Sequence, residues 1–429
     1  MTVYSADWVL PIEGEPIEDG AVAVADGRIA AVGTTDELGE GTRYDDSVIV
    51  PGFVNAHSHL EYAVYGGFGD GLAFGPWIRL HIERKGRIAW EEFVAIARLG
   101  AAECLRSGIT TIGDASFSGA AAYVAGELGL RGIVCLELFG ADLAQLEEAH
   151  AKRSAFERGS IRVGLSPHAP YSASPDLYRE AYRETPVPVI THVAESDDEL
   201  QYMLAGTGPI AAITEIPSPG LTPVRYLARE GLLRPALVAA HCVKVDADEI
   251  ALLAEHDVAV AHCPRSNAIL GCGIAPLRGL LDAGIRVGLG TDSPASAPSF
   301  DFFDEMRAAV YAARARAGSP EALSAKDALT LATLGSASTL GLEEEIGSLA
   351  PGKRADLTVV SLAGAPYLPW EDPAVAVVFG GSPDRVLLTV VNGEPRYERG
   401  GFDWLELRRS AADARACMLS AEPLVHPKT

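Results

Sequence analysis

The chain has 429 residues and carries 58 acidic side chains against 35 lysines and arginines, a formal net charge of −23. A surface this acidic repels phosphate backbones and anionic lipid, so neither nucleic acid nor a membrane face is an expected partner. Its 48% apolar content supports a sizeable core, and the length accommodates one large barrel with a smaller domain attached. The six cysteines form no CxxC pair and mostly lie in apolar runs, which reads as reduced thiols of a cytoplasmic protein. The N-terminus lacks a basic start followed by an apolar core, and no apolar run reaches 18 residues, so neither a signal segment nor a membrane span is expected.

Residues 1–50 read as short strands broken by turns, with Asp26-Gly27 as a hairpin signal between Ala21–Ala25 and Arg28–Val32. From residue 51 to about 345, apolar runs alternate with helical stretches: VIVPGFVNAHSH, TTIGDAS, GIVCLELFG, IRVGLSPHA, VPVITHVAE, ALVAAHCV, VAVAHCP and RVGLGTDS. Near-continuous apolar strands between helices imply a parallel sheet buried on both faces, and eight such units fit a (β/α)8 barrel. An open doubly wound sheet is the rival, but no GxGxxG turn follows a strand. From 346 to 429 the pattern is again β-rich: LTVVSL, AVAVVF and VLLTVVNGEPRY, the last with an Asn392-Gly393 turn. The two terminal segments are expected to pair into one small sheet domain.

Polar residues cluster where the eight runs stop. His57 and His59 close the first, His168 the fourth, His192 the fifth, His241 the sixth, His262 the seventh and Asp292 the eighth. Barrel enzymes assemble their sites at the C-terminal ends of the strands, where neighbouring strand ends converge. A lone histidine ending a strand is more often a hydrogen-bonded core residue, and an HxH pair is weak by itself. The joint pattern is stronger, because imidazoles and a carboxylate on converging strands suit zinc or ferrous iron. Burying so many polar rings without an ion is costly. Glu195, three residues beyond His192, can turn back over the cavity and move protons between water and substrate. Its alternative reading is a cap for the helix beginning at Ser196-Asp197-Asp198.

PGFVNAHSH (51–59), SPHAPYS (166–172), THVAES (191–196), AHCV (240–243) and GLGTDSPAS (288–296), followed by GSLAPGKRADLTVV (347–360), together resemble the amidohydrolase superfamily. More narrowly, they look like its chlorohydrolase-like and nucleoside deaminase branch, and the resemblance spans nearly the whole chain. It implies a distorted (β/α)8 TIM-type barrel with a composite β-sandwich built from the N- and C-terminal segments. It also implies that His57, His59, His192 and Asp292 hold one divalent metal, zinc before iron, and that His241 lies against the attacking water. Asp292 would accept the water proton, Glu195 would protonate the ring nitrogen, and His168 would touch the substrate. The metal-bridging lysine of the binuclear members has no counterpart in GLSPHAP, which favours a mononuclear deaminase over a cyclic-amide hydrolase. A non-catalytic binding protein would be expected to have lost part of this set, and all of it is present.

SPHAPYS and FDFFDEMR (300–307) most resemble deaminases of 5′-modified adenosines. In the methylthioadenosine group an acid before the tryptophan of the first barrel loop holds the ribose; here Pro76 precedes Trp77. Glu61, directly after HSHL, looks like the aminodeoxyfutalosine deaminases of menaquinone synthesis and is expected to replace that ribose contact. Arg265 in HCPRSN is expected to meet a substrate carboxylate, with Arg79 next in line. The expected substrate is therefore a small purine nucleoside, first 6-aminodeoxyfutalosine. The alternatives are methylthioadenosine, S-adenosylhomocysteine or adenosine, then guanine or triazine-type heterocycles. A homo-oligomer is compatible with the sequence.

Overall fold

Each of the eight apolar runs ends in a parallel strand in the computed structural model, which describes residues 1–364 and 370–420. These barrel strands are β5 (Phe53–Ser58), β6 (Ile109–Ser116), β7 (Arg131–Leu138), β8 (Ile161–Pro167), β9 (Val189–Val193), β10 (Leu237–His241), β11 (Ala259–His262) and β12 (Val287–Leu289). Two four-stranded ladders run β5-β6-β7-β8 and β9-β10-β11-β12. Hydrogen bonds at the strand ends bridge both seams. His192 N donates to His168 O at 2.9 Å between β9 and β8, and Asp292 N donates to His57 O at 3.0 Å between β12 and β5. Small and branched side chains fill the interior, among them Ala56, Ile133, Cys135, Ile190, Ala240 and Ala261. The result is the distorted barrel expected from the alternating runs.

The first run divides. Its Val48–Val50 portion belongs to β4 (Thr42–Pro51), and the barrel begins only at Phe53. The break falls at Gly52, where a Cβ would lie 2.2 Å from the Thr110 methyl carbon, so only glycine lets the chain pass from one sheet to the other.

The terminal segments form one seven-stranded sheet. With β1 (Thr2–Val9), β2 (Ile17–Ala25), β3 (Arg28–Thr34), β13 (Leu357–Ser361), β14 (Val386–Val391) and β15 (Glu394–Glu398), its order is β15-β14-β13-β4-β1-β2-β3. The N-terminal and C-terminal halves join where β4 pairs antiparallel with β13, Ile49 opposite Val359. The sheet curls until its two Xaa-Gly turns meet: Ala355 N donates to Gly27 O and Gly393 N to Ala355 O. One face thereby encloses its own apolar cluster, including Val22, Ile49, Leu357 and Leu388, which gives the two layers of a sandwich.

AVAVVF is not a strand. It lies in helix Pro373–Gly380, capped by Asp372, whose side chain accepts from the amides of Ala374 and Val375. An unbroken apolar run cannot separate a buried strand from a buried helix, and the Asp-Pro start decides for the helix. Five cysteines are buried and Cys417 is exposed, and none of the six is in a disulfide. Among the described residues no helix is long and apolar enough to cross a membrane. Residues 365–369 and 421–429 of the expected C-terminal segment lie outside the described residues.

A buried ion pair ties the barrel to the sheet. Arg131, at the start of β7, donates through Nε to Asp356 Oδ2 at 3.0 Å, and Asp356 Oδ1 accepts from Asn392 N at 2.7 Å. Both side chains are buried. Asp356→Ala leaves the guanidinium without its buried partner and should cost about 3–5 kcal/mol. Urea unfolding of the two proteins at equal metal load measures this, and a loss below about 1 kcal/mol contradicts it.

Candidate metal centre and substrate cleft

The strand ends deliver five buried metal-type ligands to one point. His57, His192, His241 and Asp292 each present a ligand atom within 4.8 Å of the others. His59 adjoins them, its Nε2 at 3.2 Å from His192 Nε2 and 3.5 Å from Asp292 Oδ1. The sequence expectation placed His59 among the ligands and His241 beside them; the geometry draws both rings to the cluster.

Local backbone makes this convergence. A Cβ at Gly290 would sit 2.8 Å from the His57 Cβ, so glycine lets the end of β12 approach β5. Asn55 then clamps the seam, donating from Nδ2 to Thr291 Oγ1 at 2.7 Å and accepting from Thr291 N at 3.0 Å. His241 and Asp292 both adopt left-handed backbone, with φ of 75° and 55°. For residues with a side chain this is a strained conformation, tolerated where the surroundings over-determine it. Ala194 does the same at φ 52° and turns the chain back after His192, which brings Glu195 over the cavity. The cap of helix Asp197–Ala205 is Ser196, whose side chain accepts from Glu199 N. Glu195 is therefore not a helix cap.

Neighbouring groups aim the ligand atoms. His192 Nδ1 is 2.8 Å from His168 O, and His241 Nδ1 is 2.9 Å from Asn267 Oδ1, so both rings turn Nε2 inward. Asp292 Oδ2 accepts from Ser266 Oγ at 2.6 Å and Ser296 Oγ at 2.9 Å, leaving Oδ1 to face the histidines. Both ring nitrogens of His57, Nδ1 of His59 and Nε2 of His241 are buried without a protein partner. Of these, His57 Nε2, 3.7 Å from Asp292 Oδ1, and His241 Nε2 face the cluster and are what a bound cation would satisfy, so the residues fit one divalent metal. Burial, reinforced by the neighbouring rings, draws His57 well below its ordinary pKa and His192 to about 3, which keeps them neutral as ligands must be. Burial pushes Asp292 up, but His241, His59 and His192 outweigh it and hold the carboxylate low. Burial, with Asp292 and Glu199 adding to it, raises Glu195 well above the carboxylate range. Its Oε1 lies 3.8 Å from His241 Nε2.

A cleft of about 800 Å³, counted to its open mouth, leads to this centre, a size suited to a small ligand. Trp77 and His168 line it as expected, together with Phe74, Phe139 and Tyr171. Glu61, Arg265 and Arg79 do not line it. Glu61 is buried behind the wall and accepts from Ser116 Oγ, Ser118 N and Oγ, and Ala121 N, closing the start of helix Ala120–Leu128. Arg265 is buried in an ion pair with Glu305 and donates to Ser299 O. Arg79 is exposed on helix Phe74–Lys85, and His262 lines a separate cleft. The ribose role expected of Glu61 and the carboxylate role expected of Arg265 are corrected accordingly: each has its polar atoms engaged internally.

Sequence reasoning passed over Ser266, Asn267, Ser296, Asn55 and Glu137. Ser266 and Asn267 directly follow Arg265 in HCPRSN, one step beyond the residue singled out. Glu137 was available from alternation, since Ile133 and Cys135 of β7 face the interior.

A family model described as Amidohydrolase family matches residues 48–396. The chain belongs to the amidohydrolase family. A second model, an imidazolonepropionase-like composite domain of bacteria, matches residues 20–40. The 5-methylthioadenosine/S-adenosylhomocysteine deaminase of Moorella thermoacetica is 34% identical over 420 residues, covering 93% of this chain and 94% of that protein. The 5′-deoxyadenosine deaminase of Methanothermobacter thermautotrophicus is 33% identical, covering 91% and 92%. Among solved structures, an adenosine deaminase from Xanthomonas campestris with bound zinc superposes with a TM-score of 0.87 at 29% identity, covering 98% and 99%.

Elemental analysis of the purified protein should find one divalent ion per chain, and Asp292→Ala should lose it; two tightly held ions contradict the single centre. Glu61→Gln removes the charge from a fully bonded internal acceptor and should cost about 1.5–3 kcal/mol of stability. It should leave KM for any substrate within twofold, and a large rise in KM would return Glu61 to the site.

Proposed function

We propose that this protein is a zinc-dependent hydrolytic deaminase of adenine nucleosides that carry a 5′-deoxy or 5′-thio substituent. One observation carries the reading: His59, His192 and Asp292 of the buried donor cluster and the buried acid Glu195 line one aromatic-walled cleft together. The relatives named for methylthioadenosine, S-adenosylhomocysteine and 5′-deoxyadenosine support the substrate class, and the zinc in the Xanthomonas structure supports the metal.

When bound, the divalent ion acidifies a water to near neutrality and so supplies a nucleophile. The residues around it do the rest. Trp77 and Phe74 receive the flat purine, with its amino-bearing carbon toward the histidines. Glu195, held protonated by burial, donates to the ring nitrogen beside that carbon as the new C–O bond forms. Asp292 Oδ1 accepts the water proton, its other oxygen fixed by Ser266 and Ser296. His241, whose Nδ1–H donates to Asn267 Oδ1, presents the bare lone pair of Nε2 to the attacking water and orients it. Asp292 then returns its proton to the amino group and the new hydroxyl gives its proton to Glu195. The C–N bond breaks, ammonia leaves, the ring becomes a lactam and both acids are restored.

Two of the three features that pointed to 6-aminodeoxyfutalosine, Glu61 and Arg265, are engaged internally. The methylthioadenosine-type alternative is therefore the better supported reading, and the futalosine becomes one member of the test panel. Ammonia release should be fastest on 5′-deoxyadenosine or methylthioadenosine; far faster turnover of guanine or a triazine overturns the assignment. Glu195→Gln preserves shape but cannot shuttle a proton, so kcat should fall roughly 10²–10⁴-fold with metal retained. A variant with near-normal kcat removes Glu195 from the chemistry.

A further inference from the structure

Two cleft-lining side chains, Glu137 and Lys85, take no part in the reaction above. Alternation along β7 directs Ile133 and Cys135 into the barrel and carries Glu137 into the cleft at the strand end. Its Oε2 is buried with no hydrogen-bond partner. Glu137, His168 and His192 offer ligand atoms within 4.8 Å of one another, leaving room for a single bridging atom. His168 already uses Nδ1 on Ser172 Oγ at 2.7 Å, so its Nε2 is the nitrogen left for a ligand. From helix Phe74–Lys85, the Lys85 ammonium lies over the Phe117 and Phe139 rings at 4.1 and 4.7 Å and also lines the cleft.

A buried carboxyl oxygen whose lone pairs accept no hydrogen bond needs a donor. In an adenine nucleoside the donors are the exocyclic amine, which must face the metal centre, and the sugar hydroxyls. A cation in the gap is disfavoured because the Lys85 ammonium already acts on the same carboxylate. A hydroxyl, donor and acceptor in one atom, fits Glu137 and either tautomer of His168.

We infer that Glu137 binds the ribose 2′,3′-diol, with Lys85 lining the cleft beside it. This rests on the adenine-nucleoside reading above. Burial pushes the Glu137 carboxyl above its ordinary range and the Lys85 ammonium draws it back only in part, while the aromatic faces of Phe117 and Phe139 fix that ammonium without consuming the carboxylate. The sugar is thus held from the third strand of the barrel and not from the loop after the first.

The test compares kcat/KM for 5′-deoxyadenosine and 2′,3′,5′-trideoxyadenosine in the metal-loaded wild type, Glu137→Met and Glu137→Gln. Loss of a hydrogen bond to a charged acceptor is worth roughly ten- to a hundredfold, so the wild type should prefer the diol by that factor. Glu137→Met should bring the ratio to within about threefold of unity, and Lys85→Met should lower it as well. Glu137→Gln keeps the shape and a weaker acceptor and should fall between, which also serves if the Met variant does not fold. A ratio that is the same in wild type and either Glu137 variant overturns the inference while leaving the deaminase reading intact. So does a wild type holding two metals where Glu137→Gln holds one, since Glu137 would then be a ligand. If the wild type deaminates no adenine nucleoside, both readings fall.

Discussion

The structure depends on a concentration of imidazole in a place from which water is excluded. His57 and His241 are fully buried, and His59 and His192 nearly so, with Asp292 between them. Each buried donor or acceptor left unmatched costs on the order of 1–3 kcal/mol, and the inward-facing Nε2 atoms of His57 and His241 have no protein partner. A cation turns that deficit into coordination. The surrounding architecture serves to keep those nitrogens aimed inward: the serines behind Asp292, Asn267 behind His241, the Asn55–Thr291 clamp and three left-handed residues at strand ends.

The two ends of the cleft come from different parts of the barrel. Metal-type ligands arise on β5, β9, β10 and β12, whereas Glu137 and His168 come from β7 and β8, and Lys85 and Trp77 from the helix Phe74–Lys85. The two groups meet at His192, whose Nδ1 is held by His168 O and whose ring adjoins Glu137, so recognition and chemistry share one wall.

The barrel was legible because its strands are buried on both faces and so read as uninterrupted apolar runs, each ending on a polar residue. Histidines at those ends announced the centre by position alone. What stayed hidden was pairing at a distance. Glu61 and Arg265 look like free charges in the sequence, yet Ser116 and Ser118 reach one from more than fifty positions away and Glu305 reaches the other from forty. No local pattern distinguishes a carboxylate that bonds a helix start from one that awaits a ligand. Glu137 erred the other way: it sits in a run, GIVCLELFG, whose apolar character suggested only core. Helix Pro373–Gly380 was missed for a related reason, its residues being apolar on every side and its start marked only by Asp372-Pro373.

The β4–β13 pairing fixes the order in which the molecule can be completed during synthesis. β4 ends at Pro51, but its neighbour starts at Leu357, so a strand edge rich in valine and isoleucine waits while some three hundred residues are made. At about 5–20 residues per second this lasts roughly 15–60 s. An unpaired hydrophobic edge invites the wrong strand, and the barrel must fold beside it in the meantime. Stalled nascent chains ending near residue 340 should accordingly show residues 1–50 open to protease, and chains extended past residue 400 should show them closed. The barrel is thus nearly complete before its first strands meet their last partner.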